Sequence, residues 1–173
     1  MQLPASSSEA TANNGTLTLL PRDVARQIEA GSPVVSGATP ALQLSVAELQ
    51  LLGSGWSKIT IGYEDTDGYA LAGTGPVFLG GATRSEFTLL SPTKVFGSSI
   101  TVVDYTDNDR VLRINSPLSL IALGDITIDN ELEVGEGLPE NLVVLAEAGT
   151  ILQNESVSAM TGEVLYEALN NVY

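Results

Sequence analysis

Pro117-Leu118-Ser119-Leu120, followed by Gly124-Asp125-Ile126-Thr127-Ile128, decides the fold, because the chain repeats the pattern 25 residues later. The second copy reads Leu142-Val143-Val144-Leu145, then Gly149-Thr150-Ile151-Leu152-Gln153. At that offset Leu118 maps to Val143, Leu120 to Leu145, Gly124 to Gly149 and Ile126 to Ile151. Upstream, Ser91-Pro92 matches Ser116-Pro117 at 25, and Ile100-Thr101-Val102 matches Ile126-Thr127-Ile128 at 26. A repeat of this length is one supersecondary unit, unable to bury its apolar face alone and obliged to stack on its neighbours.

Inside each unit the apolar residues alternate with polar ones over short runs bounded by Gly, Pro, Asn or Asp, which reads as strands with one face buried. Helical spacing of three and four over ten or more residues is missing from the stretch. The expected fold is therefore all-β, a parallel β-helix (solenoid) with coils of about 25 residues. Its equivalent side chains would form ladders, Leu118 against Val143 and Ile126 against Ile151. The alternative is a β-sandwich with accidental self-similarity.

The 173 residues suggest one domain. Aromatic content is only 5% against 43% hydrophobic, so the core must be Leu, Val and Ile, which suits a narrow interior. The net charge of −14, with seven Lys and Arg, leaves no basic patch for nucleic acid or an anionic membrane surface. It would attract divalent cations. With no Cys and no His, the chain offers no disulfide, no thiolate metal site and none of the commonest general base. No apolar run approaches the roughly 18 residues of a membrane helix. The N-terminus lacks a basic region followed by an apolar one, so no signal peptide is expected.

Residues 1–15 are polar and read as a flexible tail or linker, or as a strand-donating arm. Residues 16–173 form the expected β-solenoid domain: 16–62 as helix-bearing N-terminal coils, 63–160 as regular coils, 161–173 as a C-terminal cap or edge. Thr16–Leu20 alternates as a strand. Pro21, Asp23, Val24, Ile28 and Gly31 carry the signals of a two-turn helix. Leu42–Leu44 and the short helix Val46–Leu52 echo them 24 residues on, and Lys58–Ile61 echoes Val35. Strands are also expected at Tyr69–Ala72 and Pro76–Leu79. Ser57–Ile61 resembles Ser85–Leu89 at 28. Val164, Leu165 and Leu169, behind a possible N-cap at Thr161, predict a helix over 162–171 that covers the last coil. Trp56, the single tryptophan, reads either as a packing residue between helix and strand or as an aromatic platform for a sugar ring.

The segment LQLSVAELQLLGSGWSKITIGYEDTDGYALAG, residues 42 to 73, resembles a recurrent stretch in filamentous-haemagglutinin-like bacterial surface adhesins and related repeat-rich secreted proteins. LPRDVARQIEAGSPVVSG is similar to their helix-bearing coils, and the later I-T-[IV] strands to their ordinary coils. The resemblance covers roughly residues 16 to 154. It implies a right-handed parallel β-helix forming a rod in an adhesin, at the cell surface or secreted, with no catalytic residues to carry over. The missing export signal and the short length depart from that pattern.

Two acidic turns are candidate Ca²⁺ sites: Glu64, Asp65 and Asp67, and Asp104, Asp107 and Asp109. Ca²⁺ takes six to eight oxygens, and alternating Asp in a turn supplies several. Neither matches the EF-hand loop, and Asp, Asn and Gly are also ordinary turn residues. No other cofactor is expected. No pair of carboxylates is marked out for glycosidase work, and cations to stabilise a lyase intermediate are sparse. The expected function is that of a non-enzymatic extracellular structural or adhesive β-solenoid. Its partners would be further copies stacked end to end into filaments, neighbouring repeat domains, or surface glycans. The alternative is a carbohydrate-binding or polysaccharide-cleaving β-helix protein, and a trimeric phage-type fibre segment is the remaining one.

Overall fold

The computed structural model of the chain describes residues 14–31, 42–80, 89–103, 111–135, 141–159 and 162–173. Its elements in chain order begin with strands β1 (Thr16–Leu19), β2 (Ile28–Ala30) and β3 (Leu42–Leu44) and the helix α1 (Val46–Gln50). Strands β4 (Lys58–Ile61), β5 (Val77–Leu79), β6 (Thr93–Gly97), β7 (Ile100–Val102) and β8 (Val111–Ile114) follow. Then come β9 (Leu118–Ala122), β10 (Ile126–Ile128), β11 (Glu131–Val134), β12 (Leu142–Ala146), β13 (Ile151–Gln153), β14 (Val157–Ala159) and β15 (Val164–Ala168).

The strands make three sheets, and every pairing between named strands is parallel. The first sheet runs β1-β4-β6-β9-β12-β15, the second β3-β2-β5-β7-β10-β13, the third β8-β11-β14. From β6 onward each strand pairs with the strand one repeat later. In the second sheet Val77, Ile100, Ile126 and Ile151 stand in one column, all fully buried. Two residues on, Leu79, Val102 and Ile128 form another buried column. In the first sheet the inward columns are Thr93-Leu118-Leu142 and Val95-Leu120-Val144. Most of these residues belong to one continuous aliphatic core, as the low aromatic content requires.

The bends between sheets are laddered too. Gly75 N–H donates to the Val24 carbonyl, Ser98 to Gly75, and Gly124 to Ser98, each at 2.8–3.0 Å. On the other side of the first sheet, Ile59, Thr93, Leu118 and Leu142 donate to the carbonyls of Pro92, Pro117, Asn141 and Glu163. The Ser91-Pro92 and Ser116-Pro117 match is thus a stacked corner, where the Ser116 hydroxyl donates to the Ser91 carbonyl at 2.7 Å.

Several expectations need correction. Leu118 lies against Leu142 and Leu120 against Val144, not against Val143 and Leu145. The offset between β9 and β12 is 24, and an extra residue in the bend after Ala146 restores 25 at Ile126↔Ile151. Since strand side chains alternate with period 2, the one-residue slip decides which set faces the core. No helix forms over 21–30. Asp23 takes the Ala25 N–H on its carboxylate and the Arg26 N–H on its carbonyl, closing one turn, after which Ile28 is drawn into β2 between Leu42 and Val77. The 24-residue echo therefore fails: β1 pairs with β4, not with β3. Val34 and Val35 lie outside the described residues. Residues 164–168 are a strand, not a helical cap, because pairing with β12 outweighs the helical spacing of Val164, Leu165 and Leu169. Ile59 pairs with Thr93, so the 28-residue match to Ser85–Leu89 does not set the register; residues 85–88 lie outside the described residues.

The helix α1 follows the sequence. Ser45 and Glu48 form a reciprocal capping box, with the Ser45 hydroxyl accepting from Glu48 N–H and the Glu48 carboxylate accepting from Ser45 N–H at 2.9 Å. Leu49 and Leu52 enter the core from this segment. Ser45→Ala is expected to cost about 1 kcal/mol of stability, read from chemical denaturation.

Candidate functional site

The outward face of the first sheet carries a second, smaller apolar cluster. Phe96, Ile121 and Leu145 occupy one column across β6, β9 and β12, pointing away from the main core. Phe96 and Ile121 are nevertheless buried, in a second small cluster with Ala70. The cover is the segment between β4 and β5. Tyr63, Glu64 and Asp65 run antiparallel to Tyr69, Ala70 and Leu71: Asp65 N–H donates to Tyr69 O and Leu71 N–H to Tyr63 O, both at 2.9 Å. The resulting strap replaces both the regular coil expected here and the strand expected at Tyr69–Ala72. It starts at Gly62, whose φ of +92° and closeness to the Phe96 carbonyl leave no room for a Cβ.

Carboxylates hold the strap at both sides. The Glu147 carboxylate, on the bend after β12, accepts the Ala70 N–H at 2.8 Å. Glu64 takes the Lys58 ammonium at 2.7 Å and the Lys94 ammonium at 3.5 Å on its two oxygens. The Lys58 hydrogen bond holds its carboxyl below the usual range; partial burial opposes this, and the charges of Lys58 and Lys94 add to it. The Glu64 contribution to stability is thus complete above the ordinary glutamate pKa and is lost as pH falls through the lowered folded value. The protection factor of Leu71 N–H against hydrogen exchange is expected to fall as pH drops below the ordinary glutamate range, and Glu64→Gln to flatten that dependence.

In the acidic turn at 64–67, two of the three candidate carboxylates, Glu64 and Asp65, have partners within the protein. Asp65 accepts the N–H groups of Asp67 and Tyr69 on one oxygen, at 2.8 and 2.9 Å, as an ordinary Asx turn does. Among the described residues no three acidic side chains are grouped so as to hold a metal ion. Asp104, Asp107 and Asp109 lie outside the described residues. Trp56 packs partly buried against the main core, its indole N–H donating to the Leu52 carbonyl at 2.7 Å, which is the packing role. The buried carboxylate of Glu29 accepts from the Gln27 and Gln43 amides at 2.6 and 3.1 Å, a satisfied group tying β2 to β3. Asp125 accepts Thr150 N–H and Asp129 accepts the Asn154 amide, each 25 residues on. These acids lace successive strands together.

Sequence reasoning missed Glu147 and the strap. The available signal was β9 itself: Leu118-Ser119-Leu120-Ile121-Ala122 is apolar at both Leu120 and Ile121, the mark of a strand covered on both faces. No protein-family model, no curated protein and no solved structure matches the chain.

Proposed function

We propose that the chain is a right-handed parallel β-helix serving as a non-enzymatic structural or adhesive segment, extracellular or at the cell surface. The observation that carries the reading is the unbroken register of the columns, Val77-Ile100-Ile126-Ile151 above all, with laddered bends on both sides of the first sheet. A body built this way offers long, regular faces and stiffness along the stacking axis, the properties of a spacer or a display surface. The acidic groups support the same reading, since Glu64, Glu147, Asp125 and Asp129 are spent on internal contacts. The resemblance of residues 42 to 73 to repeat-rich surface adhesins points the same way.

Immobilised chain tests this against panels of soluble polysaccharides and whole bacterial or host cells. Retention on the chain without release of new reducing ends is the expected result. Release of reducing ends overturns the non-enzymatic part, and lack of retention on every surface overturns the adhesive part. Electron microscopy of the purified chain separates monomers, trimers and end-to-end filaments.

A further inference from the structure

The strap over the first sheet is fastened differently from everything beneath it. From Tyr63 to Gly73 only Ala70 is buried, while Tyr69 is 46% and Leu71 36% exposed. Its backbone hydrogen bonds, Asp65 N–H to Tyr69 O and Leu71 N–H to Tyr63 O, close within the hairpin. Among the described residues, 63–72 make no backbone hydrogen bond to a sheet strand. Side chains tie it to the body instead. The Glu147 carboxylate accepts Ala70 N–H, Glu64 holds the Lys58 and Lys94 ammoniums, and the Tyr63 hydroxyl donates to the Pro21 carbonyl.

What the strap hides is larger. Phe96 is fully buried and Ile121 is 5% exposed, although both side chains leave the sheet on its outward face. Leu145, next in the column, and Leu123 pack partly buried against them. The strands beneath hold together without this cover. Each of β6, β9 and β12 is paired on both sides, and their inward columns belong to the main core. Lifting the strap therefore costs one alanine's packing, the outward surface of Phe96 and Ile121, and a few polar bonds. Breaking the ladder costs far more. Pivots are present as well. Gly62 and Gly73 bound the strap at φ of +92° and +84°, and a hinge needs only a few residues that absorb a backbone rotation.

We infer that residues 63–72 are a hinged cover, which opens as a unit while the three sheets stay folded and uncovers the column Phe96-Ile121-Leu145. Once open, that column lies beside the Lys94 ammonium, two residues before Phe96 on the same outward face, with the Glu64 carboxylate withdrawn. Closed, the strap supplies both the cover and the counter-charge. The device thus switches one face of the body between a covered state and an amphipathic one. It holds or fails independently of any adhesive role.

The chain has no cysteine, so a single introduced thiol reports its own exposure. Ile121→Cys places one under the strap, and Ile126→Cys places one in the main core. Each full-length variant is treated with N-ethylmaleimide at neutral pH, in urea below the unfolding transition, and followed by mass spectrometry. Labelling at Ile121→Cys is expected to be about a hundredfold or more faster than at Ile126→Cys and almost independent of urea. At Ile126→Cys it should rise steeply with urea, because only global unfolding exposes that position. Adding Glu147→Ala removes a charge-assisted hydrogen bond and should speed labelling at Ile121→Cys about tenfold, with the shallow urea dependence kept. Hydrogen exchange in the unsubstituted chain makes the same comparison, and decides the matter if Ile121→Cys does not fold. Protection of Ala70 N–H should be lower than that of Ile126 N–H and far less sensitive to urea. Equal labelling of the two cysteines, parallel urea dependences at the two thiols or the two amides, or no acceleration by Glu147→Ala would each overturn the inference.

Discussion

Ile126→Ala is expected to lower the unfolding free energy by about 3–4 kcal/mol, seen as a fall in denaturant midpoint at unchanged m-value. Ile126 is fully buried, with Ile100 on one side and Ile151 on the other, both themselves fully buried. Truncation removes the transfer free energy of the lost carbons and leaves a cavity as well. The cavity cannot close cheaply, because the flanking strands are held at fixed spacing by hydrogen bonds along the ladder. Ile126 N–H donates to Thr150 O, and Ile100 N–H to Asp125 O. Thr127, one residue on, points to the outside of the same strand, so Thr127→Ala should stay within about 0.5 kcal/mol of the parent. A loss below about 1 kcal/mol at Ile126, or equal losses at both positions, would mean that the column is not a shared core.

That column was legible before any coordinates, and the reason is local. Ile100 and Ile126 each sit in a short alternating run, with only the inward positions apolar in Ile-Thr-Val and Ile-Thr-Ile, and Ile151 follows Gly149 as Ile126 follows Gly124. The partner column was not legible at the same offset. Leu142-Val143-Val144-Leu145 is apolar at four positions running, so two registers satisfy it equally well. The alanines decide it, Ala122 against Ala146, at 24 rather than 25. A constant offset hides a residue inserted in a bend, where no apolar side chain records it. The ends failed for another reason. Pro21, Asp23 and Gly31 are true turn signals, yet a tight turn and a short helix share them, and pairing of Ile28 with Leu42 and Val77 settles the outcome. Val164 to Ala168 satisfies helical and alternating patterns together, and β12 supplies the deciding contacts. The strap was hidden because its anchor, Glu147, lies 77 residues from Ala70. Its turn chemistry around Asp65 and Gly68 was readable; what it covers was not.

Gly149→Ala should destabilise the protein by about 3 kcal/mol although it adds one methyl group on a bend. A Cβ at Gly149 would lie 2.2 Å from the Gly124 carbonyl carbon, 2.4 Å from its oxygen and 2.6 Å from Asp125 N. All three are main-chain atoms, so no side chain can swing aside. The bend must lift, and lifting it strains Gly124 N–H to Ser98 O at 2.8 Å and Ala148 N–H to Leu123 O at 2.9 Å. Asn170 N–H, which donates to the Gly149 carbonyl, would move with it and loosen the last strand. The expected readout is therefore twofold: a lower melting temperature, and faster hydrogen exchange at Leu169 and Asn170 than at Ile100. The substitution also probes the repeat itself, since glycine recurs at 124 and 149 because one bend lies on the other. Gly73→Ala is the control: its φ of +84° strains any side chain, but its Cβ would meet nothing within 4 Å, so its cost should be only about 1 kcal/mol. Gly149 is not among the glycines in the left-handed region, so a cost there no larger than at Gly73 would remove the close contact between bends as a large contribution.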